Sequence, residues 1–218
     1  MHSLTILGNQ LHLLPEKAIY IQSLNTLLLS DVHLGKSETF QSWGVPIPNC
    51  VNQTTLDRLQ KLCSHYDLEY VFILGDLFHS KQALADAVLD AWFEFVKNSS
   101  ASVQLIVGNH DRALVPKLEQ LSISCILHEM RLENLILSHE PTPKPDCLNI
   151  CGHIHPCVRI KTRLDDLRLP CFYLEHSQNL LVLPSFGEFT GGYEVPLNSG
   201  TTAYAVAENT IIPLNGKR

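Results

Sequence analysis

No apolar run in the 218-residue sequence approaches the roughly 20 residues needed to span a membrane. The start, Met1-His2-Ser3, has no basic lead and no small-residue cleavage site, so no signal peptide is expected and the cytoplasm is the default location. Seven cysteines (Cys50, Cys63, Cys125, Cys147, Cys151, Cys157 and Cys171) make an odd set without a CxxC pair. That argues against a disulfide framework or a zinc-thiolate knot and for buried free thiols in a reducing compartment. No internal repeat, low-complexity tract or linker divides the chain, whose length suits a single domain over residues 1–218. Basic excess is missing too. With 16 Lys and Arg against 22 Asp and Glu the net charge is −6, so bulk electrostatics do not advertise nucleic acid.

What is present is histidine. Of eleven, His33, His79, His110, His139, His153 and His155 sit at the ends of apolar runs or in short polar loops. Neutral imidazole is the commonest metal ligand, so the clustering points to a metal site.

The chain around these histidines alternates strand and helix in its first half and is mostly strands in its second. Residues 3–7 and 11–14 predict a hairpin around Gly8-Asn9-Gln10, with an edge strand over Ala18–Ile21. Thr26–Leu29 and Tyr70–Leu74 read as strands buried on both faces. A long loop holding Trp43-Gly44-Val45-Pro46-Ile47-Pro48 follows the first of them and is read as functional. Helices are expected over 54–66, with Leu56, Leu59, Cys63 and Tyr66 on one face, and over 81–97, with Leu84, Val88, Trp92 and Phe95 as a core stripe. A short helix is expected over 116–121. Further strands are expected over 103–107, 123–127, Leu135–Leu137, Leu148–Cys151, 171–174, 180–183, 203–207 and 210–213. Two mixed sheets packed face to face with helices outside, an α/β (α+β) four-layer αββα sandwich, satisfy both halves.

Five of the apolar strands end in metal-ligating residue types: Asp31 and His33, Asp76, Asn109, His139, and His153 with His155. A carboxylate directly after a buried strand is costly unless compensated, and ligands of open α/β sheets bind at strand carboxyl ends. Two carboxylates, one amide oxygen and four imidazoles exceed the four ligands of a tetrahedral zinc. They suit two divalent ions sharing a carboxylate, with Asp76 in the bridging place, about 3.5–4 Å apart as in metal pairs that drive displacement at phosphorus. Oxygen and imidazole without thiolate favours manganese, with iron or zinc as alternatives.

Asp31-x-His33, Gly75-Asp76, Gly108-Asn109-His110-Asp111, His139 and Gly152-His153-x-His155 together resemble the signature of the calcineurin-like metallophosphoesterases, over roughly residues 26–187. The resemblance implies one ion on Asp31, His33, Asp76 and His155 and a second on Asp76, Asn109, His139 and His153. It implies attack by a hydroxide shared between the ions, His110 as the imidazole that protonates the leaving oxygen, and Asp111 behind it, fixing its tautomer. Leu14-Pro15-Glu16-Lys17-Ala18, Leu34-Gly35-Lys36, Gly44-Val45-Pro46-Ile47-Pro48, Gly75-Asp76-Leu77-Phe78-His79-Ser80 and Phe186-Gly187-Glu188-Phe189-Thr190-Gly191-Gly192 resemble a narrower group. These are the ligase-associated DNA damage response endonucleases of the PdeM subgroup. That likeness implies a phosphodiesterase or nuclease acting on DNA in a bacterial repair system, with a DNA ligase, a helicase and an exonuclease as partners. His79 stands where the broader family has an aspartate or asparagine, and is read as a packing or substrate residue.

Lys36, His79, Arg112, Arg159 and Phe189 are candidate substrate contacts. Arg159, Lys161 and Arg163 alternate, and are read either as a phosphate-backbone stripe or as charges guarding a sheet edge. Phe189 is either a base-stacking wall or part of a turn. Cys151 is read as core packing. Two other functions remain open at this stage: a small-molecule phosphodiesterase or nucleotide hydrolase, and a non-catalytic docking subunit for a ligase or helicase.

Overall fold

Alternating burial along the central strands sets the layers. In the run Thr26–Leu29, Leu27 and Leu29 point one way and Leu28 the other; in Tyr70–Leu74, Val71 and Ile73 oppose Phe72 and Leu74. The computed structural model describes residues 1–45, 51–121, 123–161, 163, 165–188 and 190–216. Its first sheet is β1 (His2–Ile6), β2 (Asn9–Leu14), β3 (Ala18–Ile21), β4 (Thr26–Leu29), β5 (Tyr70–Leu74), β6 (Ser102–Ile106) and β7 (Ser124–Ile126), side by side in chain order. β1 to β4 are antiparallel and β4 to β7 parallel. Parallel neighbours need crossovers, and these carry α1 (Lys36–Ser42), α2 (Val51–His65), α3 (Asp86–Asn98) and α4 (Val115–Leu118).

The second sheet holds β8 (Met130–Leu132), β9 (Leu135–Leu137), β10 (Leu148–Cys151), β11 (Pro156–Lys161), β12 (Asp166–Glu175), β13 (Leu180–Val182), β14 (Tyr193–Glu194), β15 (Thr201–Ala207) and β16 (Thr210–Asn215). Its order is β14-β11-β12-β13-β10-β9-β8, with β15 and β16 continuing from β12. β9, β10 and β13 run parallel. Leu28, Phe72, Leu74 and Ile106 of the first sheet meet Leu137, Ile150, Phe172, Leu174 and Tyr204 of the second, forming the core between them. The helices pack on the other face of the first sheet through Leu56, Leu59, Val88, Trp92 and Phe95.

The α/β sandwich with two mixed sheets face to face is as expected. On the outer face of the second sheet the apolar cluster holds Cys151, Cys171, Ala203 and Ala205, and no helical residue among those described. The small side chains let Val195 of the chain's own connecting segment lie against the strands instead.

Several boundaries differ from the sequence reading. The first hairpin turns at Leu7 and Gly8, both at positive φ, with Ile6 opposite Asn9. The stretch read as a loop after His33 contains α1. Asn52 accounts for that helix and for α2 starting at Val51: its Oδ1 takes the Gly35 N–H at 2.9 Å while its Nδ2 reaches the Glu38 carboxylate at 2.8 Å. Pro46, Ile47 and Pro48 of the expected functional loop lie outside the described residues, as does Phe189. Residues 81–97 divide into a 3-10 turn (Lys81–Ala83) and α3. β11 lies where Arg159 and Lys161 alternate, as the sheet-edge reading expects, while the start of β12, which carries Asp166 and Arg168, precedes the strand expected over 171–174.

Candidate metal centre

β4, β5 and β6 are parallel neighbours in one sheet, and β9 and β10 are parallel neighbours in the other. Their carboxyl ends lie at one end of the sandwich and deliver Asp31 and His33, Asp76, Asn109, His139, and His153 with His155. All seven expected ligands are thereby brought to one cleft. The β4–β5 pairing continues past the ligands: Asp31 N–H bonds Gly75 O at 3.1 Å and His33 N–H bonds Asp76 O at 2.9 Å.

Asp31 is fully buried. Its Oδ2 accepts from Ser30 Oγ at 2.5 Å and from the His153 N–H at 3.0 Å. Its Oδ1 points into the cleft, 2.9 Å from His155 Nε2 and 4.0 Å from His33 Nε2, with no aligned hydrogen bond to either. Both ring nitrogens of His33 and Nε2 of His155 are likewise buried without a partner. Buried polar atoms are normally paired, and here three side chains present unpaired atoms to one point. A divalent cation satisfies that arrangement. Asp31, His33 and His155 can hold it, and Asp76 stands between them and the second group.

That second group is Asn109, His139 and His153. Asn109 Oδ1 lies 2.9 Å from His139 Nε2 and 3.0 Å from His153 Nδ1, and the two imidazole nitrogens are 3.1 Å apart. Asp76 Oδ2 is 3.6 Å from His139 Nε2. His139 Nδ1 meets the Leu74 carbonyl at 2.9 Å, which assigns the proton to Nδ1 and turns the Nε2 lone pair into the cleft.

The local backbone serves these positions at a cost. Asp31, His33, Asp76, His153 and His155 all have φ between 50° and 68°, left-handed values that non-glycine residues rarely adopt. Glycines make room around them. A Cβ on Gly75 would run into the His139 ring, and one on Gly152 into Ser30 Oγ and Asp31 Oδ2.

Burial pushes the Asp31 carboxyl up, but His155, Ser30 and His139 together hold it below the usual carboxylate value. Burial raises Asp76, and the Asp31 charge adds to that rise. His33 is lowered to about 3, chiefly by burial, so its imidazole is neutral and its nitrogens are available.

His110 Nδ1 lies 2.6 Å from the His79 carbonyl, while its Nε2 faces the cleft 3.9 Å from Asp76 Oδ2. Asp111 does not stand behind His110 as expected. Its buried carboxylate accepts main-chain N–H groups of Leu77, Phe78 and Gly108 at 3.4, 3.3 and 3.1 Å, so it ties the two ligand loops together. The anchor of the His110 ring is a carbonyl, which no sequence motif displays. Ser30, which holds Asp31 Oδ2 and also bonds Leu74 O at 2.9 Å, was missed as well. Its signal was a hydroxyl between a buried strand and a buried carboxylate.

The His79 ring stacks between Phe40 and His110, with centroids 6.3 and 5.1 Å away, and sits edge-on to His33. Burial, with Lys36 and His110 nearby, lowers it to about 4. Lys36 opens α1 beside His33 and is half-buried. Arg112 is exposed and 3.3 Å from Glu140. Arg159 is held by two bonds to Asp166, at 2.7 and 2.5 Å, on the exposed side of β11. That geometry suits the guarded-edge alternative rather than a phosphate contact.

Residues 24–182 match the family model for calcineurin-like phosphoesterases. The crystal structure of Pseudomonas putida nuclease MPE is similar to this fold with a TM-score of 0.82 and 35% identity, covering 98% of this chain and 99% of that one. A protein of unknown function from Aquifex aeolicus, AQ665, matches with a TM-score of 0.43 and 18% identity over 60% of this chain and 78% of its own. No curated protein matches.

Proposed function

Because the chain belongs to the calcineurin-like phosphoesterase family, and so is a metal-dependent phosphoester hydrolase, we propose that its substrate is a phosphodiester of DNA. The observation that carries this reading is the set of unpaired buried atoms on Asp31, His33 and His155, facing the cluster of Asp76, Asn109, His139 and His153 across one cleft. The nucleic-acid half is supported by the 35% identity to a nuclease over nearly the whole of both chains. A single domain over residues 1–218 and a ligase-associated repair setting belong to the same reading.

Asp31, His33, Asp76 and His155 would hold one divalent ion, and Asp76, Asn109, His139 and His153 the other, manganese being preferred on donor chemistry. Such a pair would supply Lewis acidity at the phosphate and an activated water. The chain does the rest. Ser30, the Leu74 carbonyl and the His153 main chain fix the ligand side chains before substrate arrives. The His79 carbonyl accepts a hydrogen bond from His110 Nδ1–H, and with the ring protonated on both nitrogens Nε2–H delivers its proton to the departing alkoxide oxygen, leaving a neutral imidazole. No side chain forms a covalent bond to phosphorus.

The test is hydrolysis of single-stranded, duplex and gapped DNA beside aryl phosphodiesters and monoesters, with manganese, iron or zinc. Manganese-dependent cleavage of DNA that is lost in His110→Ala is expected. Turnover confined to small esters would overturn the DNA assignment.

A further inference from the structure

A cavity of about 290 Å³ opens beside the metal centre and shares His155 with it. Its other walls come from the β2–β3 turn (Lys17), the β11–β12 arm (Cys157, Arg168) and the segment following β13 (Gly187, Glu188). That last segment is fastened to the site itself. Ser185 Oγ and the Gly187 N–H both bond the Asp31 carbonyl, at 2.8 and 3.0 Å. A group in the cavity would therefore abut the first ligand set.

The charges lining it favour an anion. Lys17 is nearly buried, with 14% of its side chain exposed, and lies 3.9 Å from Glu188. Glu188 is already engaged by Arg58, which also binds the Phe186 carbonyl and lies over the Phe186 ring. Two cations against one carboxylate leave that corner with a surplus positive charge. Arg168 adds a third cation, 3.9 Å from Glu194 and more than half exposed. A buried ammonium whose one carboxylate neighbour is shared with Arg58 is costly, and desolvation by burial, then the charge of Arg58, depresses the Lys17 ammonium to about 8. A volume at the lower end of the ligand-pocket range, about 300–1,000 Å³, suits a group of one nucleotide's size and not a longer strand.

We infer that this cavity is a subsite for the phosphate adjoining the scissile one, bound by Lys17 and Arg168. The inference rests on the phosphodiesterase reading and names how that site would select a polynucleotide over a simple diester.

The probes are thymidine dinucleotides with and without one further terminal phosphate, at either end, and an aryl phosphodiester, each with manganese. In the wild type a terminal phosphate on one end should raise kcat/KM about tenfold through KM, the size of a charge-assisted contact. Lys17→Met and Arg168→Gln should each remove that advantage, and Lys17→Arg should keep it. Gly191 also lines the cavity, and a Cβ there meets no atom within 4 Å. Gly191→Leu should therefore fold, as read by its unfolding midpoint, and still exclude the phosphate. A wild type that cleaves the dinucleotide without regard to terminal phosphates, or an advantage that survives in all three disabling variants, overturns the subsite alone. Failure to cleave any diester overturns the phosphodiesterase reading and the subsite with it.

Discussion

The Nδ1 of His110 lies 2.6 Å from the main-chain carbonyl oxygen of His79, so the imidazole is aimed by backbone and not by a neighbouring carboxylate. The strand-end loop that carries Asp76 thus also orients the proton donor of the proposed reaction.

A donor so placed matters in proportion to the basicity of the leaving oxygen. His110→Ala should lower kcat for dinucleotide cleavage by about 10²–10⁴-fold. On an aryl diester, whose leaving group needs no proton, the loss should be far smaller. Metal content by elemental analysis should stay at the wild-type level. Equal losses on both substrates would remove the proton-donor role.

Asp111 bonds three main-chain amides, and their loss is a matter of stability. Asp111→Ala should cost the fold about 1–3 kcal/mol, from buried donors left without an acceptor. Denaturant unfolding of the metal-free protein measures it. Full stability with a crippled kcat would restore the sequence-based expectation that Asp111 acts on His110.

Cation binding to the folded state alone should appear as thermal stabilisation. Manganese at a hundred times its dissociation constant should add about 2.7 kcal/mol for one site. Asp76→Asn should reduce that gain, because Asp76 stands at the join of the two ligand groups. A melting temperature indifferent to manganese and to chelator would contradict the ion-binding assignment.

Gly152 abuts Ser30 and Asp31 more closely than any Cβ permits. Gly152→Ala should destabilise by about 1–3 kcal/mol, as overpacking does. It should also weaken manganese binding in a calorimetric titration, since the atom displaced first is an Asp31 oxygen or the hydroxyl that holds it.

Lys17 gives a pH signature with a definite sign. Its folded value of about 8 lies below the ordinary 10.5. Below about pH 8 both states keep the proton, and the group adds no pH dependence. Between the two values the unfolded chain binds more protons than the folded one, so stability should rise with pH by at most about 1.4 kcal/mol per unit. Unfolding free energies of wild type minus Lys17→Met, measured from pH 7 to 10.5, should show that rise. A flat difference would refute the buried ammonium.

The gathering of the candidate ligands was largely legible because each follows a buried strand, and strands buried on both faces are conspicuous in sequence. Thr26–Leu29, Leu135–Leu137 and Leu148–Cys151 have their expected bounds for that reason. The elements that escaped notice depend on contacts remote in sequence. α1 is held by Asn52, and the His110 ring by a carbonyl 31 residues away. Asp111 was misassigned because adjacency in sequence suggests adjacency of side chains, whereas its carboxylate turns back into the chain.

Five of the seven converging residues are wound in the left-handed sense, at roughly 1 kcal/mol or more apiece for non-glycine backbone. A cation bound by these residues would help to hold that strained backbone in place. A chelator would act on such a protein twice, withdrawing the cations and releasing a coiled spring. Amide exchange should then quicken at this end of the sandwich while the sheets beneath stay closed.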